Sequence, residues 1–541
     1  MITLTSPATV YPLESVNVQA VNSNFGSGTA LNSTISWNFG DPGSEYDALV
    51  GFNAAHAYAN PGTYTITLSI TTPDGHVAVA TQTVTVAHDN RPTIYVAAGG
   101  NDANDGSSPN DPIQSLARLG QLLTSGERVL FQAGDTFAFN SANALNLGGL
   151  QDVYVGSYGS GAQPVIFYNG PAVGGEIIGT SNSSSGIVVQ GLTFDSVYVN
   201  NGNQQAIPSA FILVGNDITI IDNTFMNLGD DLNLVLGPSN VLIQNNTSPD
   251  PTALSGYFGW VAGNEINFLG NTVASSAGEA VMRVAGVTDL ELAYNNFTNN
   301  PETAGGTVSK NTLSTQVGQY VYVYHNTFAS GPVNAGPLGT DVANPNVDIT
   351  DVVFDSNTVN NTTVLITAGA QNVVIKNNVI NANGDSGITI DAQEIGGGFN
   401  WTVTNVWIEH NTVTEPGIWG GFLAINDGQA QGITMDYNLF VDPNFQISSG
   451  QAFVRVDEND MNSFSQILDN VWSQPAWASP WVNGGMFFVS SDPSSQVGWL
   501  TPAEWEASGI TSGDVFQNVN LGSTYSVAVN GIVAGSNLPT A

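Results

Sequence analysis

The sequence predicts an all-β chain: a solenoid of stacked parallel strands, preceded by a small β-sandwich. Three observations predict it. A nine-residue phrase recurs, as "DVVFDSNTV" from Asp351, "NVVIKNNVI" from Asn372, "NVWIEHNTV" from Asn405 and "GITMDYNLF" from Gly432, at intervals of 21 to 33 residues. Each copy carries Asn at its seventh position and an apolar residue three places earlier. The first 88 residues lack the phrase and read instead as short alternating strands, such as "STISWNFG" and "TYTITLSIT", between Gly/Pro turns. That is sandwich patterning.

Aligned on the Asn, the phrase makes a ladder: Asn223, Asn246, Asn271, Asn295, Asn326, Asn357, Asn378, Asn411, Asn438 and Asn470. The period is too irregular for leucine-rich repeats or propeller blades. It suits coils of constant section joined by loops of varying length. One strand cannot bury its apolar face alone, but strands stacked at about 4.8 Å can. Stacked Asn side chains then bond one another and satisfy the polar groups of a tight turn. The prediction is therefore a right-handed parallel β-helix solenoid. Its ends need covers, because an open solenoid exposes its core. An amphipathic helix near Ser115–Leu123 caps one end, and "WLTPAEWEASGI" at 499–510 reads as a short helix before closing strands. The expected organisation is a sandwich over 1–88, a linker over 89–93 marked by "HDNRP" at 88–92, the β-helix over 94–500 and a C-terminal capping segment over 501–541.

Two resemblances add to this reading. Trp37, Phe39, Gly40, Asp41, His56, Tyr58, Pro61, Gly62 and Tyr64 fall in the order of the W-x-F-G-D and H-x-Y-x-x-P-G-x-Y motifs. On these residues the first 88 positions resemble the PKD domain family, an immunoglobulin-like sandwich. The resemblance implies an extracellular spacer or interaction module without chemistry, with Trp37 and Tyr64 filling its core. Residues from about 93 to 500 resemble the pectate-lyase-like superfamily of parallel β-helix proteins, which implies an extended polysaccharide as ligand. The polygalacturonase-like residue set and the pectate-lyase R-x-P-R base motif are absent in order, so no catalytic residue carries over.

Composition narrows the function classes. At 541 residues the chain exceeds one ordinary core, and 42% hydrophobic content excludes a disordered chain. Only 9% of residues are charged, yet the net charge is −37 because seven are basic. Such a surface repels nucleic acid and anionic membranes, so neither is an expected partner. No apolar run is long enough for membrane insertion. The absence of Cys removes disulfides, thiol catalysis and Cys–zinc sites. A chain poor in Lys and rich in Gly, Asn and Thr has the look of a secreted or cell-surface bacterial protein. The N-terminus shows no signal-peptide pattern, so the expectation is a trimmed leader or another export route.

Strand alternation turns the phrase into a map. With the residue three before the Asn pointing inward, those two and four before it point outward. One outward column then carries Tyr324, Asp355, Lys376, Glu409 and Asp436 on successive coils, and the other carries Tyr322 and Trp407. Aromatic faces stack on sugars, and paired carboxylates do acid–base work at a glycosidic bond. Asp355, Lys376, Glu409 and Asp436 are therefore the candidate catalytic set, with Tyr322, Tyr324 and Trp407 as candidate substrate-binding residues. Glu409 and Asp436, on adjacent coils, stand near the roughly 5 Å of retaining glycosidases, and Asp355 with Glu409 near the inverting range. Lys376 is one of only two lysines. The same alternation of charge is also what cross-strand pairing favours without any ligand.

A competing cluster is Asp391, Asp427, Arg455 and Asp457, with Glu394 and Glu458 beside it. Arg283 with Glu279 reads as a salt bridge. His325 and His410, each just before a ladder Asn, read as turn residues. "NDANDG" at 101–106 reads as a turn, lacking the register of a calcium loop. No metal motif is present; no cofactor is required, and calcium is the one ion the many carboxylates suit. Insertions around 297–320, 329–348 and 391–404 are candidate groove walls. The favoured function is a glycoside hydrolase acting on a neutral or weakly charged extracellular polysaccharide. A polysaccharide lyase or epimerase of the same fold, and a non-catalytic adhesin, sheath or filament protein, are the alternatives. Oligomeric state is not encoded in any motif.

Overall fold

The computed structural model describes all residues except 1–2, 142–144, 171–174, 198–208, 250–256, 275–279, 299–310, 330, 337–347, 383–385, 393–401, 415–420, 427–429, 443–451, 457–460, 474–486, 490–498, 522 and 540–541. Met1–Asn296 and Lys310–Ala541 fall into two compact units.

The first unit begins with the sandwich. Three strands, Thr3–Leu4, Ser15–Gln19 and Asn53–Ala57, face five, from Thr9–Val10 through Val77–Val86, Gly62–Thr71 and Thr34–Asn38 to Ala48–Val50. Trp37, Phe39, Phe52 and Tyr58 fill the space between them. Trp37 donates its indole N–H to the Gly51 carbonyl at 3.1 Å. Tyr64 does not fill the core as expected. It lies half-buried at the rim, stacked on Tyr58 at 4.1 Å, with its hydroxyl on the Asn60 carbonyl. Tyr58 is the buried member of that pair.

The solenoid of the first unit stacks Arg128–Gln132, Gln151–Tyr158, Ser185–Gln190, Asn216–Ile221, Ser239–Gln244, Gly259–Leu269 and Met282–Ala293 in parallel. The second unit stacks Gly318–Tyr324, Ile349–Asp355, Ala370–Lys376, Val403–Glu409, Ala430–Asp436 and Phe464–Leu468 in the same way. Parallel stacking continues into Thr511–Ser512 and Val515–Phe516, beyond the expected end at 500. The residues three before each ladder Asn, from Ile220 to Ile467, are all buried.

The Asn ladder exists and has a direction. From Asn223 to Asn295, and again from Asn326 to Asn470, the backbone N–H and side-chain amide of each Asn donate to the side-chain oxygen of the next, as from Asn357 to Asn378 and from Asn378 to Asn411. It ends on Asp514, which accepts from Asn470 and from the indoles of Trp472 and Trp505 at 3.1 Å. The residue before each Asn holds the left-handed conformation: His325 at φ 52°, Asn377 at 55°, His410 at 54° and Tyr437 at 55°. The opening letter of the phrase does likewise, with Asp351 at 59°, Asn372 at 55°, Asn405 at 58° and Gly432 at 73°. Asn, Asp and Gly tolerate that conformation best, which is why the phrase opens on them. Asn372 and Asn405 also bond upstream, to Asp351 and Asn372, as a second, shorter ladder.

Both expected helices form. The helix Leu116–Leu122 starts at Ser115, whose hydroxyl accepts from Arg118 N and donates to Asp102. The helix Pro502–Glu506 carries a capping box between Thr501 and Glu504. The C-terminal hairpin, Thr524–Val529 with Ile532–Pro539, packs Val527, Val529 and Ala534 on Leu439 and Val471.

The linker is a clasp rather than a joint. Buried Arg91 grips Asp89 at 2.9 Å and the Asp152 carbonyl at 2.8 Å, and lies 4.2 Å over the Tyr11 ring. The sandwich then lies on the solenoid itself. Ser15 N donates to Thr219 Oγ1, Asn53 Nδ2 to Asn267 Oδ1 and Asn267 Nδ2 to Asn17 Oδ1, each at 2.9 Å. Gly270, at φ 65°, lets Tyr46 approach the corner; a Cβ there would meet the Tyr46 hydroxyl at 1.9 Å.

Candidate functional site

The second unit places Tyr324, Asp355, Lys376, Glu409 and Asp436 in direct register on consecutive strands. Tyr322, Val353, Val374, Trp407 and Thr434 form the neighbouring column. The alternation of the phrase fixes both rows.

The members differ in what they touch. Asp355 is engaged on both oxygens. Oδ2 accepts from the Tyr322 hydroxyl at 3.0 Å and faces Lys376 Nζ at 3.4 Å, while Oδ1 accepts from Ser356 Oγ at 2.8 Å and Asn377 Nδ2 at 3.3 Å. Lys376 also lies 5.9 Å over the Tyr322 ring. Burial and the Asp355 carboxylate push the Tyr322 hydroxyl well above the ordinary tyrosine range.

Asp436 is set differently. Its Oδ2 accepts from Gln466 Nε2 at 2.8 Å, and its Oδ1 is buried without a hydrogen-bond partner. Burial raises this carboxyl to about 6, opposed by the Gln466 bond and assisted by the negative charge of Glu409. Glu409 is half-buried beside it. One acid held toward its protonated form next to a second carboxyl is an arrangement suited to proton donation at a polar bond.

The aromatic expectation needs correction. Tyr324 is 1% exposed and Tyr322 9%, so neither ring offers an open face for stacking on a sugar; their rings pack edge to face at 5.4 Å. Trp407 alone of the three is half-buried. Alternation set the side of the sheet on which the tyrosines stand, but not whether that side is covered.

In the competing cluster, Asp391 is in register with Asn426, and Arg455 with Ala424 and Phe488, its guanidinium 5.7 Å over the Phe488 ring. Asp427, Asp457, Glu394 and Glu458 lie outside the described residues, as do Glu279 and most of the expected groove walls. His325 and His410 are corner residues, and the His410 ring stacks on Tyr437 at 5.1 Å. In "NDANDG", Asn101 and Asp105 cap their own turn and Asp102 holds Gln114 and Ser115. Among the described residues no three His, Asp or Glu side chains converge as a metal site.

Sequence reasoning missed Gln466, the donor that orients Asp436. Its signal was an amide one coil onward and two residues before the carboxylate position. It also missed Asn377 and Ser356, which stand at the corner and bond Asp355.

Known proteins supply a partial match. Residues 1–87 match the PKD domain family. No curated protein matches the chain. Similar solved structures include a GH136 lacto-N-biosidase from Eubacterium ramulus, at 13% identity over 71% of this chain and 67% of that one, with a TM-score of 0.35. A Family 28 exopolygalacturonase from Yersinia enterocolitica has 11% identity over 88% and 97%, with a TM-score of 0.38. A mannuronan C-5 epimerase A-module from Azotobacter vinelandii has 12% identity over 74% and 93%, with a TM-score of 0.39. These neighbours are carbohydrate-active enzymes. At such identities and scores they assign no activity to this chain; the β-helix rests on its own strand register. Among the described residues no helix is long and apolar enough to cross a membrane.

Proposed function

We propose that the protein is a secreted glycoside hydrolase acting on a neutral or weakly charged polysaccharide, with Glu409 and Asp436 as its working pair. The observation that carries the reading is their contrast in adjacent register: an acid raised to about 6 with an unpartnered oxygen, beside a second carboxyl. Neighbouring parallel strands stand about 4.8 Å apart, which suits the roughly 5 Å carboxyl separation of a retaining mechanism. Asp436 would then protonate the leaving oxygen while Glu409 attacks the anomeric carbon. A water deprotonated by Asp436 would release the glycosyl ester. Asp355 is a poorer partner for Glu409, because Lys376, Tyr322, Ser356 and Asn377 already occupy its oxygens.

Lys376 bears on the substrate class. Its ammonium is paired with Asp355, which leaves it unsuited to abstracting a proton next to a uronate or to holding a polyuronate track. Trp407 is the aromatic best placed to meet a sugar ring. The test is product mass spectrometry on a polysaccharide panel, with Glu409→Gln and Asp436→Asn as controls. Saturated oligosaccharides that vanish in both variants support the reading. Unsaturated ends would point to a lyase, and no cleavage of any glycan to a structural or adhesive protein.

A further inference from the structure

The seam between the PKD-like sandwich and the solenoid holds more buried acceptors than hydrogens to fill them. Under the sandwich, Glu265 is 3% exposed and Asp289 fully buried, on adjacent strands of the first unit. One oxygen of Asp289 accepts from Gln19 Nε2, and Thr5 and Asn264 beside Glu265 act against the effect of its burial. Glu265 Oε2 and Asp289 Oδ1 are buried without a donor. So is Asn53 Oδ1, on the sandwich strand that packs against the same two solenoid strands.

Among the described residues, Glu265 and Asp289 meet no countercharge. From the sandwich, Thr5, Asn17, Gln19 and Asn53 face this seam, and all are neutral. From the solenoid come further acids: Glu291 two residues beyond Asp289, and Asp217, which acts on Glu265. At Glu14 the same seam does hold a cation, Arg91, but Asp89 and Glu14 engage it and Asp152 and Asp217 stand near. Among the described residues no Lys, Arg or His pairs with Glu265 or Asp289. An ionised carboxylate buried without a cation is costly and takes a proton instead.

We propose that Glu265 and Asp289 are neutral carboxylic acids when the sandwich is docked, making the seam a proton-binding site whose grip weakens as the medium goes from acid to neutral. Each acid adds one O–H donor to a seam in which Asn53 Oδ1 is a further buried acceptor without a partner. Burial pushes Asp289 to about 7 and Glu265 in the same direction. The sign follows. A docked carboxyl holds a proton that a solvated one loses above its ordinary value of about 3.9 to 4.3. Docking is therefore tightest in acid and weakens as pH rises through the window up to about 7, by up to about tenfold per pH unit for each group.

The experiment is amide hydrogen exchange on the full chain from pH 5 to 8, corrected for intrinsic rates, following the strands Ser15–Gln19 and Asn53–Ala57. The same series is run with EDTA and with added calcium. The expected result is an opening constant at least tenfold larger at pH 8 than at pH 5, and a flattened profile in Asp289→Asn and in Glu265→Gln. Either variant suffices if the other fails to fold. A flat wild-type profile, or an unchanged slope in the variants, overturns the proposal. So does tightening by calcium at pH 8 that the variants abolish, since the missing partner would then be a cation.

Discussion

The same outward column meets two fates in this molecule. On the coils of Asn223 to Asn295, the positions four before the ladder Asn are Thr219, Leu242, Asn267 and Glu291, all fully buried, with the sandwich bonded to Thr219 and Asn267. On the coils of Asn411 and Asn438, those positions are Trp407 and Thr434, both half-buried. The repeat and the corner geometry are shared. What differs at these positions is that the sandwich bonds to the first set. Under the sandwich, Glu265 and Asp289 are buried in a seam, whereas on the later coils Glu409 and Asp436 are half-buried.

The two regions should respond alike where they share structure and differently where they do not. The largest effect falls on the shared ladder. Asp514→Ala removes its terminal acceptor and strands the buried donors of Asn470, Trp472 and Trp505. A loss of about 3 kcal/mol or more in urea unfolding is expected. Next comes a matched pair at one repeat position. Asn267→Ala, in the seam, should lose about 1–3 kcal/mol, while Thr434→Ala, at a half-buried position, should stay within about 0.5 kcal/mol. Equal losses would mean that the sandwich contributes nothing to the difference.

The third prediction concerns the later coils alone. If Asp436 is the proton donor, kcat/KM on a susceptible glycan falls as pH rises through about 6, because the carboxyl must be protonated to act. Gln466→Leu removes a bond that favours the ionised form, so this limb should move to higher pH. A limb that stays in place would detach Asp436 from the chemistry. The smallest effect is Lys376→Gln. Its pair with Asp355 is partly solvated, and the expected cost is below about 1 kcal/mol by thermal unfolding.

Much of this was legible in the chain. The seventh-letter Asn of each phrase gave the ladder, because a side-chain amide that must bond the next coil leaves a fixed mark in sequence. The apolar residue three places earlier gave the inward face, and alternation gave the register of Asp355, Lys376, Glu409 and Asp436. Ser115 and Thr501 marked the cap helices through their own bonding rules. Tyr322 and Tyr324 were misjudged for a different reason. Alternation says on which side of a sheet a residue stands and is silent about what packs there.

By itself, the sequence determined the local periodic facts: strand, corner and ladder. These depend on residues within a few positions of one another or repeated at a fixed phase. Tertiary structure decided the rest. The Asn17–Asn267 bond spans 250 residues, and the Ser15–Thr219 bond 204. Gln466 reaches Asp436 from the next coil, 30 residues away. No local pattern encodes such pairings, because burial and hydrogen-bond partners are properties of surfaces brought together. Whether a carboxylate is a seam acid or a candidate catalyst is settled by what covers it.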